Sequence, residues 1–338
     1  MKVLSLFDGM SCGMIALDRL GIKVDKYYAS EIDKYAIQVS QANYPNIIQI
    51  GDVCDIKAED YQDIDLILAG SPCQGFSFAG KQLAFDDPRS ALFFEFIRLL
   101  KEIKPKYFLL ENVNMKKEFL DVISEQVSSC YPELPFGIER IKINSALVSA
   151  QNRLRWYWTN IPGVDQPEQR GIVLRDILEY QLEDNTNAIP NKSQTIKSQY
   201  YKSSKANFEN DTTKGGKFSA TGIPQKSKVV AGAWRGRSLD ENGKNVSWKE
   251  TKPKQMLELR KDEKSNSLTS VRKDNIVSLT RDKDQDVYWR KLSPRECERL
   301  QTVPDDYTNS VSNTQRYKML GNGWTIEVIT HILKNMEL

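Results

Sequence analysis

Histidine is almost missing from this chain, because its 338 residues include only His331. A single histidine excludes a histidine-based zinc centre and argues against Ser-His or Cys-His catalysis. His331 lies in an apolar helical pattern near the C-terminus, where we expect a surface or packing role. Any chemistry must therefore come from cysteine, carboxylates, arginine and backbone groups.

Paired cysteines and long apolar runs are lacking as well. The five cysteines contain no CxxC pair, which argues against both a disulfide framework and a zinc site. No apolar run approaches the roughly 18 residues of a membrane helix, and the N-terminus has no signal-peptide pattern. We therefore expect a cytoplasmic, monomeric protein that binds neither a metal ion nor a membrane.

The net charge of +3 conceals an uneven distribution along the chain. Residues 191–273 contain 19 Lys and Arg against 8 Asp and Glu, whereas the rest of the chain contains 29 basic and 37 acidic residues. A basic segment is thus inserted into an acidic body. On charge alone, a solvated loop region and a nucleic-acid-binding surface are equally good interpretations.

Short apolar runs alternate with helical patterns over the first 160 residues. The predicted strands are Val3–Phe7, Tyr27–Ser30, Leu66–Ala69 and Tyr107–Leu110. The predicted helices are Gly13–Leu20, Lys34–Asn43 and Pro88–Ile103. This alternation predicts an α/β fold in which helices cover both faces of a doubly wound, mostly parallel sheet.

The character of the sequence changes after about residue 163. Residues 181–285 are polar and weakly periodic, over a length too great for a structureless loop. Regular patterns return with a capping-box helix start at Ser293 and a final apolar helix over Gly323–Leu333. We predict a core over 1–162, a smaller irregular, β-containing lobe over 163–290, and a segment over 291–338 that returns to the core.

A glycine-containing turn follows the first predicted strand, in FDGMSCG from Phe7 to Gly13. A tight turn before a helix N-terminus suits a nucleotide-like cofactor, although the GxGxxG spacing is absent and a structural turn explains it as well. Glu31 ends the second strand, where an acidic residue typically accepts hydrogen bonds from a ribose. Asp52, after a third short strand, is a candidate for the adenine amino group.

Two further motifs follow strands. GSPCQGFS, from Gly70 to Ser77, comes after Leu66–Ala69, and ENV begins with Glu111 after Tyr107–Leu110. Open α/β sheets place their sites at the carboxyl ends of strands, so Cys73 and Glu111 converge if these strands are neighbours. The alternatives are a buried small residue for Cys73 and a solvated charge for Glu111.

Cytosine methylation at carbon-5 requires this kind of constellation. A thiolate that adds to carbon-6 makes carbon-5 nucleophilic, and an acid at N3 stabilises the adduct. Cys73 and Glu111 fit these two roles. Arg153 and Arg155, in QNRLRWYW, alternate along a predicted strand and so share one face. One of them near the base carbonyl would also favour the thiolate, whereas a surface ion pair is the alternative interpretation.

These motifs, in this order, resemble the DNA (cytosine-5)-methyltransferases from end to end. FDGMSCG is similar to their cofactor loop, GSPCQGFS to their nucleophile motif, ENV to their glutamate motif and QNRLRWYW to their arginine motif. Arg295-Glu296 with Arg299-Leu300-Gln301 resembles their late structural helix, and LGNGW at 320–324 their C-terminal motif. The catalytic core looks especially like the animal de novo methyltransferases, whereas the long insert is typical of a stand-alone bacterial or phage enzyme.

The resemblance implies that S-adenosyl-L-methionine is the cofactor and that Cys73, Glu111, Arg153 and Arg155 are catalytic. It implies a cofactor pocket made of Phe7, Asp8, Gly9, Met10, Ser11, Cys12, Gly13, Glu31, Ile32, Asp52, Val53, Gly70, Pro72, Asn322, Gly323 and Trp324. One departure lies in the turn, where Ser11-Cys12-Gly13 replaces the Gly-Gly of many bacterial members.

Double-stranded DNA is the partner that the resemblance implies. A cytosine must leave the duplex before its carbon-6 can be reached. The segment after Cys73 would close over the flipped base, and the basic insert would read the major groove. The DNA contacts expected are Gln74, Gly75, Ser77, Gln82, Arg235 and Arg237. A cognate restriction endonuclease is a further expected partner, in a restriction-modification system.

Several other functions compete with this interpretation. An amino-group DNA methyltransferase would need a DPPY-like motif where GSPCQ stands, and an NAD-dependent dehydrogenase would need the GxGxxG spacing. A tRNA cytosine-5 methyltransferase shares the chemistry of Cys73 and stays open, although the basic lobe favours DNA. A catalytically inactive DNA-binding relative also stays open, but the joint presence of Cys73, Glu111, Arg153 and Arg155 argues against it.

Overall fold

The computed structural model describes residues 1–71, 88–179, 228–238, 254–259, 264–266, 276–280 and 288–337. The helices are α1 (Cys12–Arg19), α2 (Lys34–Asn43), α3 (Pro88–Ile103), α4 (Lys117–Ser129), α5 (Pro294–Leu300), α6 (Asn313–Asn322) and α7 (Ile326–Leu333). The strands are β1 (Lys2–Leu6), β2 (Lys26–Ser30), β3 (Ile48–Gln49), β4 (Leu66–Ala69), β5 (Tyr107–Val113), β6 (Arg140–Asn144), β7 (Gln151–Asn152), β8 (Leu154–Thr159), β9 (Lys228–Arg237), β10 (Lys254–Leu259), β11 (Ser265–Asn266), β12 (Ile276–Thr280) and β13 (Tyr288–Lys291).

A seven-stranded sheet lies at the centre of the fold, in the order β3-β2-β1-β4-β5-β8-β6. Strands β1 to β5 pair in parallel, whereas β8 runs antiparallel to both β5 and β6. The strand order reverses between β1 and β4, which creates the kind of crevice where open α/β sheets bind ligands. The predicted α/β class with a doubly wound, mostly parallel sheet is confirmed.

The apolar strands are buried on both faces, as parallel sheets require. On one face, Leu68 and Leu109 belong to the same buried cluster as Ile329 of α7. On the other, Ile67 and Phe108 pack in a second cluster that includes Phe93 and Phe96 of α3. The period-2 alternation of the strands therefore divides the core into two layers, one on each face of the sheet.

Strands β4 and β5 are direct neighbours, which is the arrangement that brings their carboxyl ends together. Leu66 to Ala69 pair in register with Tyr107 to Leu110. Strand β5 continues to Val113, beyond its predicted end, because β8 pairs with it over that stretch. Glu111 therefore lies within a strand, where the ladder fixes its backbone, and not after one as the sequence suggested.

The C-terminal segment packs on the core sheet. Helix α5 begins at the predicted capping box, in which Ser293 Oγ accepts from Glu296 N at 3.1 Å and the Glu296 carboxylate accepts from Ser293 N at 2.8 Å. Helix α7 begins at Ile326, three residues later than Gly323, since Gly323 and Thr325 have extended backbone conformations. An ion pair between Arg19 and Glu327, at 2.7 Å, joins α1 to α7.

A second, antiparallel sheet comes from the region predicted as a separate lobe. Its strand order is β10-β9-β12-β13. In addition, β11 pairs with β7 through Ser265 and Gln151, and Ser265 N donates to Ala150 O at 2.8 Å. This part of the chain thus touches the segment that leads into β8. The division of the chain at residues 163 and 290 stays a prediction.

Membrane-spanning helices and metal sites are absent from the described residues. In these ranges, no helix combines the length and the apolar character that a bilayer crossing needs. Helix α3, for example, has 16 residues, fewer than the roughly 20 of a transmembrane helix. Nor does the described part of the chain bring three His, Cys, Asp or Glu side chains together as a metal site.

Candidate active site

The turn between β1 and α1 is tightly constrained. Phe7, Gly9 and Ser11 have positive φ angles of 56°, 60° and 64°. Phe7 and Ser11 carry side chains, so this left-handed backbone costs about 1–3 kcal/mol at each position and must be held by its surroundings. Gly9 N donates to Glu31 Oε2 at 2.8 Å, which fastens the turn to the end of β2.

Glu31 organises the carboxyl end of β2. Its Oε1 accepts hydrogen bonds from Ile32 N and Asp33 N, both at 2.8 Å, while its Oε2 accepts from Gly9 N. A carboxylate offers about four lone-pair positions, so three backbone donors orient it and leave capacity for a ligand hydroxyl. The side chain of Ile32 is 74% exposed beside it, which provides an apolar surface at the same edge.

Asp8 lies buried beneath the turn. Tyr27 Oη donates to its Oδ1 at 2.7 Å, and Ser11 Oγ donates to its Oδ2 at 2.5 Å. Burial raises the pKa of Asp8 to about 6, against the opposing effect of the hydrogen bonds from Ser11, Ser5 and Tyr27. Asp8 thus braces the turn from the inside. Its predicted contact with a cofactor stays a prediction, and Tyr27 is a partner that the sequence did not reveal.

Asp52 and Val53 continue the same edge of the sheet past β3. Asp52 caps a short 3-10 turn over Val53–Asp55 by accepting from Cys54 N at 3.0 Å, and Val53 is buried. Ser30 Oγ donates to Gly51 O at 2.8 Å, which ties this turn to the end of β2. The ends of β1, β2 and β3 therefore present their polar residues along one edge.

The C-terminal segment closes against the first turn and β4. A Cβ atom at Gly70 would lie 2.9 Å from the indole Nε1 of Trp324, and one at Gly323 would lie 3.0 Å from Met10 Cε and 3.4 Å from Cys12 Sγ. At Gly70 an added Cβ would displace the indole, and at Gly323 it would be unusually close to its neighbours, so glycine permits the close approach at both positions. The segment thus joins two regions that the sequence predicted to line one pocket.

The remaining predicted pocket residues divide into buried and exposed ones. Met10 and Cys12 are buried, and burial raises the pKa of the Cys12 thiol to about 12, so it stays protonated. Gly13 packs on Leu68, which leaves no room for a side chain. Asn322, at the end of α6, is exposed.

Glu111 and Arg155 form an ion pair at the carboxyl end of β5. Arg155 Nε lies 2.9 Å from Glu111 Oε1, and the two side chains are 14% and 10% exposed. The register explains the contact, because Glu111 pairs with Tyr157 and Arg155 pairs with Val113, so both side chains point to one face. Arg155 Nε finds no partner in hydrogen-bond geometry among the described residues, so the contact is electrostatic.

Arg153 lies between β7 and β8, which corrects the expectation that it alternates with Arg155 along a single strand. Its side chain is buried, with Nη1 donating to Gly321 O at 3.2 Å and Nη2 to Gly323 O at 2.9 Å. Burial, and secondarily the charge of Arg155, lowers the pKa of Arg153 to about 9, so the guanidinium stays charged at neutral pH. Both terminal nitrogens therefore hold the C-terminal segment.

Asn112 joins the ends of β4 and β5. Its Nδ2 donates to Ser71 Oγ at 3.1 Å, and both residues are buried. Ser71 precedes Cys73 by two residues in the sequence. Asn112 belongs to the ENV motif, in which only Glu111 was predicted to be functional, so the motif itself was the signal for Asn112.

Several predicted site residues lie outside the described part of the chain. They are Pro72, Cys73, Gln74, Gly75, Ser77 and Gln82. Arg235 and Arg237 belong to β9, where the backbone register places them opposite Met256 and Lys254 of β10. The roles of all eight residues stay predictions.

The chain is similar in sequence to bacterial and phage methyltransferases. The family model described as "C-5 cytosine-specific DNA methylase" matches residues 1–338. The type II methyltransferase M1.ScrFI of Lactococcus lactis subsp. cremoris is 31% identical over 352 residues, covering 99% of this chain and 77% of that protein. The orphan methyltransferase M.SPRI of Bacillus phage SPR is 27% identical over 434 residues, covering 99% of this chain and 97% of that protein.

Solved structures share the fold. The Dnmt2 methyltransferase of S. pombe superimposes with a TM-score of 0.64 at 18% identity, covering 99% of this chain and 97% of that one. A putative DNA modification methyltransferase encoded within an E. coli prophage gives a TM-score of 0.60 at 20% identity, covering 99% of this chain and 98% of that one. At such identities the likeness concerns the fold alone.

Proposed function

Because the chain belongs to the C-5 cytosine-specific DNA methylase family, we propose that it methylates carbon-5 of a cytosine within a specific sequence of duplex DNA. The methyl donor would be S-adenosyl-L-methionine and the nucleophile Cys73. One observation carries this proposal, namely the ion pair between Glu111 of β5 and Arg155 of β8, where β5 is the direct neighbour of the strand that leads to Cys73. The pair supplies the acid and the cation that the chemistry needs next to a thiol.

The edge formed by β1, β2 and β3 fits S-adenosyl-L-methionine. Glu31 retains a lone-pair position for a ribose hydroxyl, Ile32 offers an exposed apolar surface, and Asp52 lies beyond them at the same edge. The constrained turn ahead of α1 and the indole of Trp324 would enclose the rest of the cofactor. When bound, this cofactor supplies an electrophilic methyl group.

The residues on the other side of the site would activate the base. The Cys73 thiolate forms a bond from its sulfur to carbon-6, while Glu111 donates or shares a proton at N3. Carbon-5 thereby becomes nucleophilic enough to accept a methyl group. The carbon-5 proton then passes to solvent, N3 returns its proton to Glu111, and the bond between sulfur and carbon-6 breaks, which restores the aromatic ring and the thiolate. Arg155 would stabilise the ring carbonyl and the thiolate by its charge.

DNA would enter with its target base flipped out of the helix. Carbon-6 is inaccessible within the stacked duplex, so the cytosine must be extruded into the site. Gln74, Gly75, Ser77 and Gln82 would close over it, and Arg235 and Arg237 would read the major groove. The type II relatives support a place in a restriction-modification system, where a cognate restriction endonuclease would share the target sequence.

Methylation-aware sequencing of cells that express the protein tests this proposal. DNA should acquire 5-methylcytosine at one recurring sequence, and cells that express Cys73→Ser should not. Methylation of tRNA in place of DNA would favour an RNA methyltransferase. No new 5-methylcytosine in either nucleic acid, from a folded protein, would favour an inactive DNA-binding relative.

A further inference from the structure

A network of buried polar side chains surrounds the C-terminal segment Leu320–Thr325. Gln151, Arg153, Gln301 and Thr325 are all buried and belong to three separate parts of the chain. Buried polar groups are costly unless they are hydrogen-bonded, so a cluster of this kind marks a geometry that the fold fixes closely. The segment that the network surrounds includes Gly323 and Trp324, which the sequence predicted to line the cofactor pocket.

The network binds the carbonyl groups at the end of α6. The last carbonyls of a helix have no intrahelical donor. Here Gly321 O and Gly323 O accept from Arg153, at 3.2 Å and 2.9 Å. A planar guanidinium suits this task because its fixed fork reaches two oxygens at once. Its positive charge also complements the negative end of the helix dipole.

Gln301 supplies the second set of donors, from the residue that follows α5. Its Nε2 donates to Leu320 O at 2.6 Å and to Gly323 O at 3.1 Å. Its Oε1 accepts from Thr325 Oγ1 at 2.9 Å, and Ser145 Oγ donates to that threonine at 2.8 Å. The orientation of the Gln301 amide is thus fixed from both sides, and Gly323 O receives a donor from each of Arg153 and Gln301.

The opposite side of the same segment contacts the proposed cofactor pocket. Gly323 approaches Met10 and Cys12 so closely that a Cβ atom would lie 3.0 Å from the first and 3.4 Å from the second. Trp324 packs on Gly70 at the end of β4. A shift of the segment therefore moves a wall of that pocket.

We propose that Arg153 is a positioning residue for cofactor binding, which it serves by holding the backbone that carries Gly323 and Trp324, without contacting the cytosine. This inference rests on the proposed function, and it assigns the two arginines of QNRLRWYW different tasks. Arg155 faces Glu111 and the base, whereas Arg153 fixes the cofactor wall. Gln301 is a second positioning residue with the same task.

Calorimetric titration of S-adenosyl-L-methionine and of S-adenosylhomocysteine into the full chain, without DNA, tests the proposal. Arg153→Lys cannot reach two carbonyls in the same way, so both Kd values should rise about 10- to 100-fold, the range expected for a lost charged hydrogen bond. At saturating cofactor, the single-turnover rate should stay within about fivefold of the wild-type rate. The matched control, Arg155→Lys, should show the reverse, with Kd nearly unchanged and a rate at least about 100-fold lower.

A second variant covers the case in which Arg153→Lys does not fold. Gln301→Met keeps the length of the side chain but removes the donors to Leu320 O and Gly323 O, so it should weaken cofactor binding in the same selective way. The proposal is overturned if a folded Arg153→Lys binds cofactor normally but loses its single-turnover rate. It is equally overturned if a folded Gln301→Met binds as the wild type does, or if neither variant folds. If the wild-type chain binds neither ligand, it is instead the proposed function that fails.

Discussion

Glu111 and Arg155 illustrate how strand register brings together ionic groups that are distant in sequence. The motifs predicted both residue types, with Glu111 at the carboxyl edge of a sheet and Arg155 along a strand. Their contact at 2.9 Å depends on the antiparallel pairing of β8 with β5, which places both side chains on one face. No local pattern in the sequence encodes that pairing, so the residues could be predicted but their geometry could not.

The first prediction concerns Glu111. Replacing it with glutamine keeps a hydrogen-bond donor but removes the transferable proton. Glu111→Gln should therefore lower the single-turnover rate by roughly two to four orders of magnitude. DNA affinity should change far less, because phosphate contacts dominate it. Quenched-flow methyl transfer and a DNA-binding titration on the same preparation measure both quantities.

The exposed Glu118 of α4 provides the matched control. Glu118→Gln removes the same charge at the protein surface and should leave the rate within about twofold of the wild type. If Glu111 served only to pair with Arg155, Glu111→Gln would lower the melting temperature and leave the rate within a few-fold. That result would remove Glu111 from the catalytic scheme.

The second prediction concerns pH and the buried Asp8. Burial raises the pKa of Asp8 from its ordinary value of 3.8 to about 6 in the folded protein. The folded state therefore holds this proton more tightly than the unfolded state, so stability from this group falls as pH rises from about 4 to about 6. The full cost, reached above that range, is on the order of 3 kcal/mol.

Asp8→Asn removes the charge, so its stability relative to the wild type should improve as pH rises through this window. Melting temperatures of both proteins, measured from about pH 4.5 to pH 7.5, give the comparison. A difference in melting temperature between the two proteins that stays constant with pH would show that Asp8 does not titrate in this pH range. Asp8 itself was visible in the sequence, but its internal partners Tyr27 and Ser11 depend on how β2 and the turn pack together.

Helices and strands of the core followed closely from the spacing of apolar residues. Lys34–Asn43, Leu66–Ala69 and Pro88–Ile103 begin and end where the pattern predicted. Strand β1 and helix α1 lie one residue earlier than predicted, and β2 begins one residue earlier, at Lys26. Two further elements differ for tertiary reasons. Strand β5 is longer because β8 extends its ladder, and α7 is shorter because the preceding residues fold against Gly70 and Arg153. Local periodicity carries no information on such contacts.

The third prediction tests the contact between β4 and the C-terminal segment. The added methyl group of Gly70→Ala would lie 2.9 Å from Trp324 Nε1 and 3.3 Å from two ring carbons. The indole must move, so cofactor Kd should rise at least about tenfold, as expected when a well-packed wall is overfilled. Calorimetric titration of S-adenosylhomocysteine measures the change.

A double variant separates displacement of the indole from general damage. Phe has no Nε1 atom and a smaller ring, so Trp324→Phe should make room for the methyl group. The cofactor Kd of Gly70→Ala with Trp324→Phe should then be lower than the two single effects combined would give. Strictly additive effects would mean that the Gly70 contact does not control the position of residue 324.

Charge is distributed unevenly between two parts of the chain. The basic stretch over residues 191–273 contrasts with an acidic remainder that carries the proposed cofactor edge. This difference in charge is visible in the sequence, which also predicted short strands in the basic stretch but not their positions. It did not predict that Lys264 and Ser265 bind the core, with Lys264 Nζ 2.6 Å from Ile172 O. Such contacts depend on tertiary packing between polar segments, which composition does not reveal.

The fourth prediction follows from that division. Replacing residues 191–260 with a flexible linker spares Lys264 and Ser265, so the contacts of these two residues with the core remain. Sequence-specific methylation should be lost, while the Kd for S-adenosylhomocysteine should stay within about threefold of the wild-type value. Methylation sequencing and calorimetry on the soluble variant test the two parts. Continued methylation of the same sites would mean that the recognition elements lie elsewhere in the chain.

The most direct test of the whole account is trapping of the covalent adduct. A duplex that contains 5-fluorocytosine at the target site, once sequencing has identified that site, should form a denaturation-stable complex with the protein in the presence of S-adenosyl-L-methionine. Fluorine at carbon-5 cannot leave as the proton does, so the thiolate cannot be released. Peptide mass spectrometry should place the DNA on Cys73, and Cys73→Ser should give no complex. An enzyme that methylates normal DNA but leaves no adduct on this cysteine would contradict the mechanism.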